Sequence, residues 1–138
     1  MKLATLPALV LLSLAMFVFN ACSNNSTTLT GEWKLVSYGD ATNITPAVAN
    51  AETSINFNDG TFGGTVGCNS FGGDYTLSGD QMSISSVIST MMFCEQTSTQ
   101  ESAVLAILSD KTMTVTQSGN QLKLYSADGR SVVILEKK

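Results

Sequence analysis

Short segments of alternating apolar and polar residues, separated by tight-turn signals, most constrain what this chain of 138 residues can fold into. The signals pair glycine with aspartate or asparagine, residues that accept the positive φ angles of a hairpin turn. They lie at Asn58-Asp59-Gly60, Ser78-Gly79-Asp80, Ser118-Gly119-Asn120 and Ala127-Asp128-Gly129. The segments between them predict an antiparallel sheet of about eight short strands.

The first strand is predicted near residues 32–38, where alternation places Trp33 and Leu35 on the core side. One later segment departs from this spacing. Its apolar residues recur at helical intervals, which predicts a single amphipathic helix over residues 98–109. Thr97 followed three residues later by Gln100 indicates a capping box at the start of that helix.

A sheet of this kind must close on itself or be covered, because exposed strand edges invite pairing with other chains. We therefore expect a mainly β (α+β) fold. Its architecture would be a curled antiparallel sheet or incomplete β-barrel of about eight short strands, plugged by the one helix.

The amino end has the features of an export signal. Lys2 precedes an apolar run that extends to Phe19, and a small residue, Ala21, precedes Cys22. This pattern predicts a signal peptide over residues 1–21. The rival interpretation is a retained membrane helix, which a proline inside the run and the lack of a basic cluster after it disfavour.

Cys22 extends the prediction from secretion to anchoring. Phe19, Asn20, Ala21 and Cys22 resemble a bacterial lipobox at the last two positions and depart from it at the first two. We expect acyl chains, including palmitate, on Cys22, a flexible Ser/Asn/Thr tether over residues 22–28, and one domain over residues 29–138. The alternative is an ordinary signal peptide with an incidental cysteine.

Composition excludes several kinds of activity. The chain has 7 Lys and Arg against 11 Asp and Glu, a net charge of −4, and no basic stripe for nucleic acid. It has no histidine, so a Ser-His-Asp or Cys-His arrangement and a histidine-containing zinc site are excluded. We predict no catalytic residues, no metal site and no cofactor, and therefore no enzyme.

Cys68 and Cys94 are the two cysteines that remain in the domain. An even number in an oxidising compartment favours a disulfide between them. Two alternatives stay open: a pair of buried free thiols, and a redox-active or metal-binding pair. Neither a Cys-x-x-Cys spacing nor a histidine supports the second alternative.

Methionines and aromatic residues supply most of the other candidates. Met82, Met91, Met92 and Met113 are interpreted as core residues, with one of the adjacent pair exposed. The aromatic residues either fill the barrel or line a pocket for one small ligand. The candidate ligand-binding residues are Trp33, Phe57, Phe62, Phe71, Tyr75 and Phe93.

Four segments resemble the META domain, also called the HslJ-like family of bacterial envelope lipoproteins. They are LTGEWKL at 29–35, GCNSFGGDY at 67–75, STMMFC at 89–94 and LKL at 122–124. The resemblance implies a barrel-like β domain with a helix and an association with heat or envelope stress and antibiotic tolerance. It implies no catalytic residue.

These observations lead us to expect a lipid-anchored, non-catalytic interaction module in the cell envelope, on the periplasmic face of an outer membrane. Its expected partners are the membrane, through the anchor, and another envelope protein. Two alternatives from other classes stay open. One is a carrier of a small apolar ligand in the barrel interior, and the other is a thiol redox protein that uses Cys68 and Cys94.

Overall fold

The computed structural model describes residues 27–109 and 111–138. The predicted signal peptide, Cys22 and the first part of the tether lie outside the described residues. The described part contains nine strands and one helix. In chain order they are β1 (Gly31–Asp40), β2 (Asn43–Pro46), β3 (Thr53–Asn58), β4 (Thr61–Val66), β5 (Ser70–Ser78), β6 (Gln81–Ser89), α1 (Ser98–Leu108), β7 (Thr112–Ser118), β8 (Gln121–Ser126) and β9 (Ser131–Lys137).

Eight of these strands form one closed antiparallel barrel. Strands β3 to β9 pair in chain order, and β1 pairs with both β3 and β9, which joins the two ends of the sheet. Among the described strands, β2 pairs with β1 alone and lies outside the ring. The predicted mainly β fold with a barrel and one helix is confirmed. The closure of the barrel goes beyond the curled sheet or incomplete barrel that the sequence predicted, and β2 was not predicted.

Apolar side chains fill the inside of the barrel because successive residues of a strand point to opposite faces. Trp33 and Leu35 face the core as predicted, and both are buried. Gly64 allows β3 and β4 to approach closely. A Cβ at this position would lie 1.7 Å from the backbone oxygen of Ser54, so a side chain would force the strands apart.

The barrel has two distinct ends. The near end carries residues 27–30 of the incoming chain and the β3–β4, β5–β6 and β7–β8 turns. Leu29 is buried at this end, and its carbonyl oxygen accepts a hydrogen bond from Trp33 Nε1 at 2.7 Å. The far end carries the β4–β5 loop (residues 67–69), the β6–α1 loop (residues 90–97) and α1.

Helix α1 packs its apolar side chains against strands β1, β4 and β9 of the far end. Its buried apolar residues are Val104, Ile107 and Leu108. The structure places the helix at Ser98–Leu108, so the predicted helix is confirmed to within one residue.

The predicted capping box is wrong. Thr97 occupies the N-cap position, but its side chain makes no capping hydrogen bond. The Gln100 side chain turns inward, where its oxygen accepts the Val48 N–H at 2.7 Å and its nitrogen donates to the Val66 carbonyl at 2.6 Å. Gln100 therefore ties the helix to two distant segments and does not cap it.

Candidate interaction surface

One buried carboxylate organises the far end of the barrel. Glu101 lies in the first turn of α1 and is 4% exposed. Its Oε1 accepts the backbone N–H groups of Cys68 and Asn69, and its Oε2 accepts the Asn69 side-chain amide at 2.8 Å. Burial raises the pKa of Glu101, but these hydrogen bonds outweigh burial and hold the pKa below its usual value. An ionised Glu101 thus fixes the β4–β5 loop to the helix.

The buried Asn69 side chain extends this arrangement to the β6–α1 loop. Its Oδ1 accepts hydrogen bonds from Thr90 Oγ1 at 2.8 Å and from the Met92 N–H at 2.7 Å. Its Nδ2 donates to the Met92 carbonyl at 2.8 Å as well as to Glu101. We call these contacts the Glu101–Asn69 network. They satisfy both backbone groups of Met92, so the loop backbone is held at that residue.

A disulfide between Cys68 and Cys94 fastens the same loop from its other side. Their Cα atoms lie 6.3 Å apart, within the range that a disulfide spans. Of the alternatives that the sequence left open for these two cysteines, the structure contains the predicted disulfide. The Thr90 N–H also donates to the Ser70 carbonyl at 2.9 Å. The β6–α1 loop is thus fixed by covalent, side-chain and backbone bonds within five residues.

This loop and the end of β6 that precedes it display apolar side chains to solvent. Ile88 is 75% exposed, Met91 95%, Met92 60% and Phe93 81%. We call these four residues the apolar patch. Single apolar residues scattered over a surface are ordinary, but a contiguous group of them is typical of an interaction site.

Two shallow grooves border the apolar patch. One, of about 300 Å³, lies between the β6–α1 loop and α1, and its lining includes Met92, Phe93 and Leu105. The other, of about 430 Å³, lies on the outside of the barrel beside Phe71, Gly72 and Ile88. The patch is therefore flanked by concave surface that partner side chains could enter.

The structure separates the aromatic residues that were proposed to line a ligand pocket. Five of them are buried in the core, and three ring pairs among them have centroids 5.6 to 6.0 Å apart. These residues are Trp33, Phe57, Phe62, Phe71 and Tyr75. Phe93 lies on the outside and does not join them. The proposed set is therefore not one wall, and its buried members pack against each other.

The methionines divide in the same way. Met82 and Met113 are buried core residues, as predicted. Met91 and Met92 are both exposed, so the interpretation of this pair as core with one residue exposed is wrong. The reason is that neither belongs to a strand; the Met92 backbone binds Asn69, which leaves both side chains outside.

Sequence patterns did not single out Glu101 or Asn69. Glu101 lies among the core-facing positions of the helix, and a carboxylate there is itself a signal, because a buried charge requires partners. Asn69 falls in the segment that carries the family resemblance.

Together these features define a closed eight-stranded antiparallel barrel with one helix across its far end. A stapled loop there presents apolar residues. The sequence profile of the META domain matches residues 26–138. The chain belongs to the META domain family, which confirms the resemblance seen in its sequence.

Solved structures with the same fold are distant in sequence. An NMR structure of a protein from Burkholderia xenovorans superposes with a TM-score of 0.64 at 21% identity, covering 80% of this chain and 83% of that one. A second NMR structure gives 0.59 at 21% identity, over 77% of this chain and 88% of the other. No curated protein matches the chain significantly. Among the described residues, none forms a helix long and apolar enough to cross a membrane.

Proposed function

We propose that this chain is a non-catalytic binding module, held at the bacterial envelope by a lipid on Cys22, that docks a protein partner through the apolar patch. The observation that carries the proposal is the pairing of four exposed apolar side chains with a fixed backbone. A loop that is already ordered loses little conformational entropy on binding. Methionine and aromatic residues are also enriched at the centres of protein interfaces.

The placement of the patch suits a tethered module. The tether reaches the barrel at the near end, whereas the patch lies at the far end. Strand β5, which runs between the two ends, has nine residues and spans about 26 Å at a strand's usual rise. The tether adds roughly 25 Å if fully extended. An anchored domain would therefore present the patch well away from its own membrane.

The packed interior weighs against the carrier alternative. Trp33, Phe57 and Phe62 occupy the space that a ligand would need, and all are buried against neighbouring core residues. A carrier function would require these side chains to move out of the core, at the cost of their packing.

The anchor is tested by expressing the full chain, with its own signal, in a bacterium fed an alkyne-labelled palmitate. We expect label on the protein and recovery in the membrane fraction, with loss of both in Cys22→Ala. The matched control is Ser23→Ala, which alters the neighbouring residue and should keep the label. A wild-type chain that is unlabelled and freely soluble would refute the anchor.

Docking is tested separately with a photo-crosslinking amino acid placed at Phe93, and at Ile44 as the control. Ile44 is an exposed apolar residue like Phe93, but it lies on β2, outside the apolar patch. We expect an envelope protein crosslinked from position 93 and not from 44, and its binding to the purified chain should be abolished by Met91→Ser with Phe93→Ser. Equal crosslinking from both positions, or unchanged binding by the double variant, would refute docking through the patch.

A further inference from the structure

Strand β6 extends well beyond its partner β7. It runs over Gln81–Ser89, but its pairing with β7 covers Gln81, Met82 and Ser83 only. One more hydrogen bond, from the Ile84 N–H to the Lys111 carbonyl at 2.9 Å, ends the contact. Beyond it, residues 85–89 have no pairing partner on this side among the described residues.

A bulge at Ser86 marks the point where β6 leaves β7. Ser85 pairs with Asp74 and Ile88 with Gly72, so two residues of β6 lie opposite Gly73 alone. Ser86 has a φ of 56°, a left-handed conformation that is uncommon for serine. Bulges bend a strand and increase its twist, and they re-aim or terminate pairing beside functional sites.

The other side of this segment is firmly held. Ile88 and Ser89 pair with β5, and the Thr90 N–H donates to Ser70 at its end. Because N–H groups alternate in direction along an antiparallel strand, the N–H groups of Ser89 and Val87 point away from β5. We call this side of residues 85–89 the open edge.

The open edge lacks the usual protection of edge strands. Exposed edges are normally short, or carry lysine or proline, which discourage pairing with another chain. Strand β2 fits that rule, since it has four residues and ends at Pro46. Residues 85–89 read Ser-Ser-Val-Ile-Ser, without lysine or proline and with two β-branched apolar residues.

The open edge also continues into the apolar patch. Ile88 belongs to both, and the loop with Met91, Met92 and Phe93 follows directly. The two grooves lie on either flank of the segment and contain Phe71 and Leu105, respectively. A strand added to an edge sends alternate side chains to opposite faces, so grooves on both flanks suit such an occupant.

We propose that the open edge of β6 takes up an extended segment of the partner protein as an additional strand, with apolar residues at alternating positions. The backbone of residues 85–89 supplies hydrogen bonds, and the flanking grooves receive the partner's side chains. This proposal rests on the proposed function, because it specifies how the partner engages the patch. Five residues of edge accommodate a partner strand of about 17 Å.

The test uses the full mature chain in detergent, ¹⁵N-labelled, with a synthetic probe. The probe is a peptide of alternating threonine and valine with a lysine at each end, and its control is the same peptide with a central proline. We expect the first peptide to shift and slow the hydrogen exchange of the Val87 and Ser89 amides, and the proline peptide to leave them unchanged.

The matched variant is Ser89→Pro, which removes one N–H of the open edge and leaves the apolar patch unaltered. Proline is tolerated at an edge whose N–H is unpaired, so the melting temperature should change little. We expect about tenfold weaker peptide binding. Should this variant fold poorly, Ser89→Lys introduces the protection of natural edges and is expected to weaken binding likewise.

Three results would overturn the proposal. Binding that shifts only patch side chains, without slower exchange at Val87 and Ser89, would show docking by side chains alone and leave the proposed function standing. No binding of the peptide would remove the open edge as a strand acceptor. Slow exchange at both amides in the chain alone, together with a dimeric mass, would show that a second copy occupies the edge.

Discussion

The near end and the far end of the barrel are closed by different kinds of interaction. At the near end the apolar side chain of Leu29 is inserted into the core, and the Leu29 carbonyl oxygen accepts a hydrogen bond from the Trp33 indole N–H. At the far end a helix covers the opening, and an ionised carboxylate, Glu101, joins that helix to a neighbouring loop. Both ends bury apolar side chains, and the far end adds a specific set of side-chain hydrogen bonds centred on Glu101 and Asn69.

The difference shows what the hydrogen bonds at the far end add to closure of the barrel. Apolar burial is non-directional and needs only a side chain of suitable size. The Glu101–Asn69 network is directional, so it also determines the path of a loop that is outside the core. That loop can then carry apolar side chains on the surface without collapsing onto the barrel. The near end only closes the barrel, whereas the far end closes it and also positions the loop that exposes apolar side chains.

The largest expected effect concerns the near end. Trp33→Ala removes a fully buried indole and its bond to Leu29, so we expect a loss of about 3–5 kcal/mol in the free energy of unfolding. Urea denaturation of the purified domain measures it. A loss below about 1 kcal/mol would show that the first strand contributes little to the core, and the contrast between the ends would be wrong.

The second effect concerns the disulfide. Cys68→Ser with Cys94→Ser opens a bridge of 26 positions in sequence, and the expected loss is about 2–4 kcal/mol under oxidising conditions. Adding reductant to the wild type should reproduce this loss and leave the double variant unchanged. If oxidised wild type and variant unfold at the same urea concentration, the staple adds no stability.

Glu101→Gln comes third, with an expected loss of about 2 kcal/mol at neutral pH, since the amide replaces charged acceptors of buried N–H groups. Glu95→Gln, an exposed glutamate in the same loop region, is the matched control and should change stability little.

Comparison of wild type with Glu101→Gln also tests how the stability contributed by the Glu101–Asn69 network depends on pH. The pKa of Glu101 is lowered in the folded state, so its contribution to stability is present above the unfolded carboxyl pKa and is lost as pH falls through the folded value. We therefore expect the difference between wild type and Glu101→Gln to shrink in acid. A difference that stays constant down to about pH 2 would show that Glu101 is not held ionised.

The smallest effect on stability is expected in the apolar patch. Met91→Ser with Phe93→Ser replaces exposed side chains, so the free energy of unfolding should stay within about 0.5 kcal/mol of wild type. Thermal unfolding measures this change. A larger loss would show that the patch supports the fold and is not free for display.

The barrel itself was predictable because its signals are local. Glycine-containing turns such as Asp59-Gly60 separate β3 from β4, β5 from β6, β7 from β8 and β8 from β9, and alternation orients Trp33 and Leu35. Helix α1 was found from its spacing for the same reason. Strand β2 has no such signal, since all four of its residues are exposed and no alternation results.

The far-end site depends on contacts between distant residues. Glu101 binds groups 32 and 33 positions away, and Gln100 binds groups 34 and 52 positions away. The sequence near each residue suggested a local role, which for Gln100 was a cap. Likewise Met91 and Met92 looked like core residues, because apolar character alone does not show that their backbone is bound elsewhere.

The exposure of Met91 also determines how the protein responds to oxidants. Among the described methionines, Met82 and Met113 are shielded in the core, whereas Met91 is almost fully accessible and Met92 is largely so. Peroxide would therefore convert the surface pair to sulfoxides first, which makes apolar side chains polar and is reversed by sulfoxide reductases. Oxidation would thus alter the apolar patch before it altered the methionines of the core.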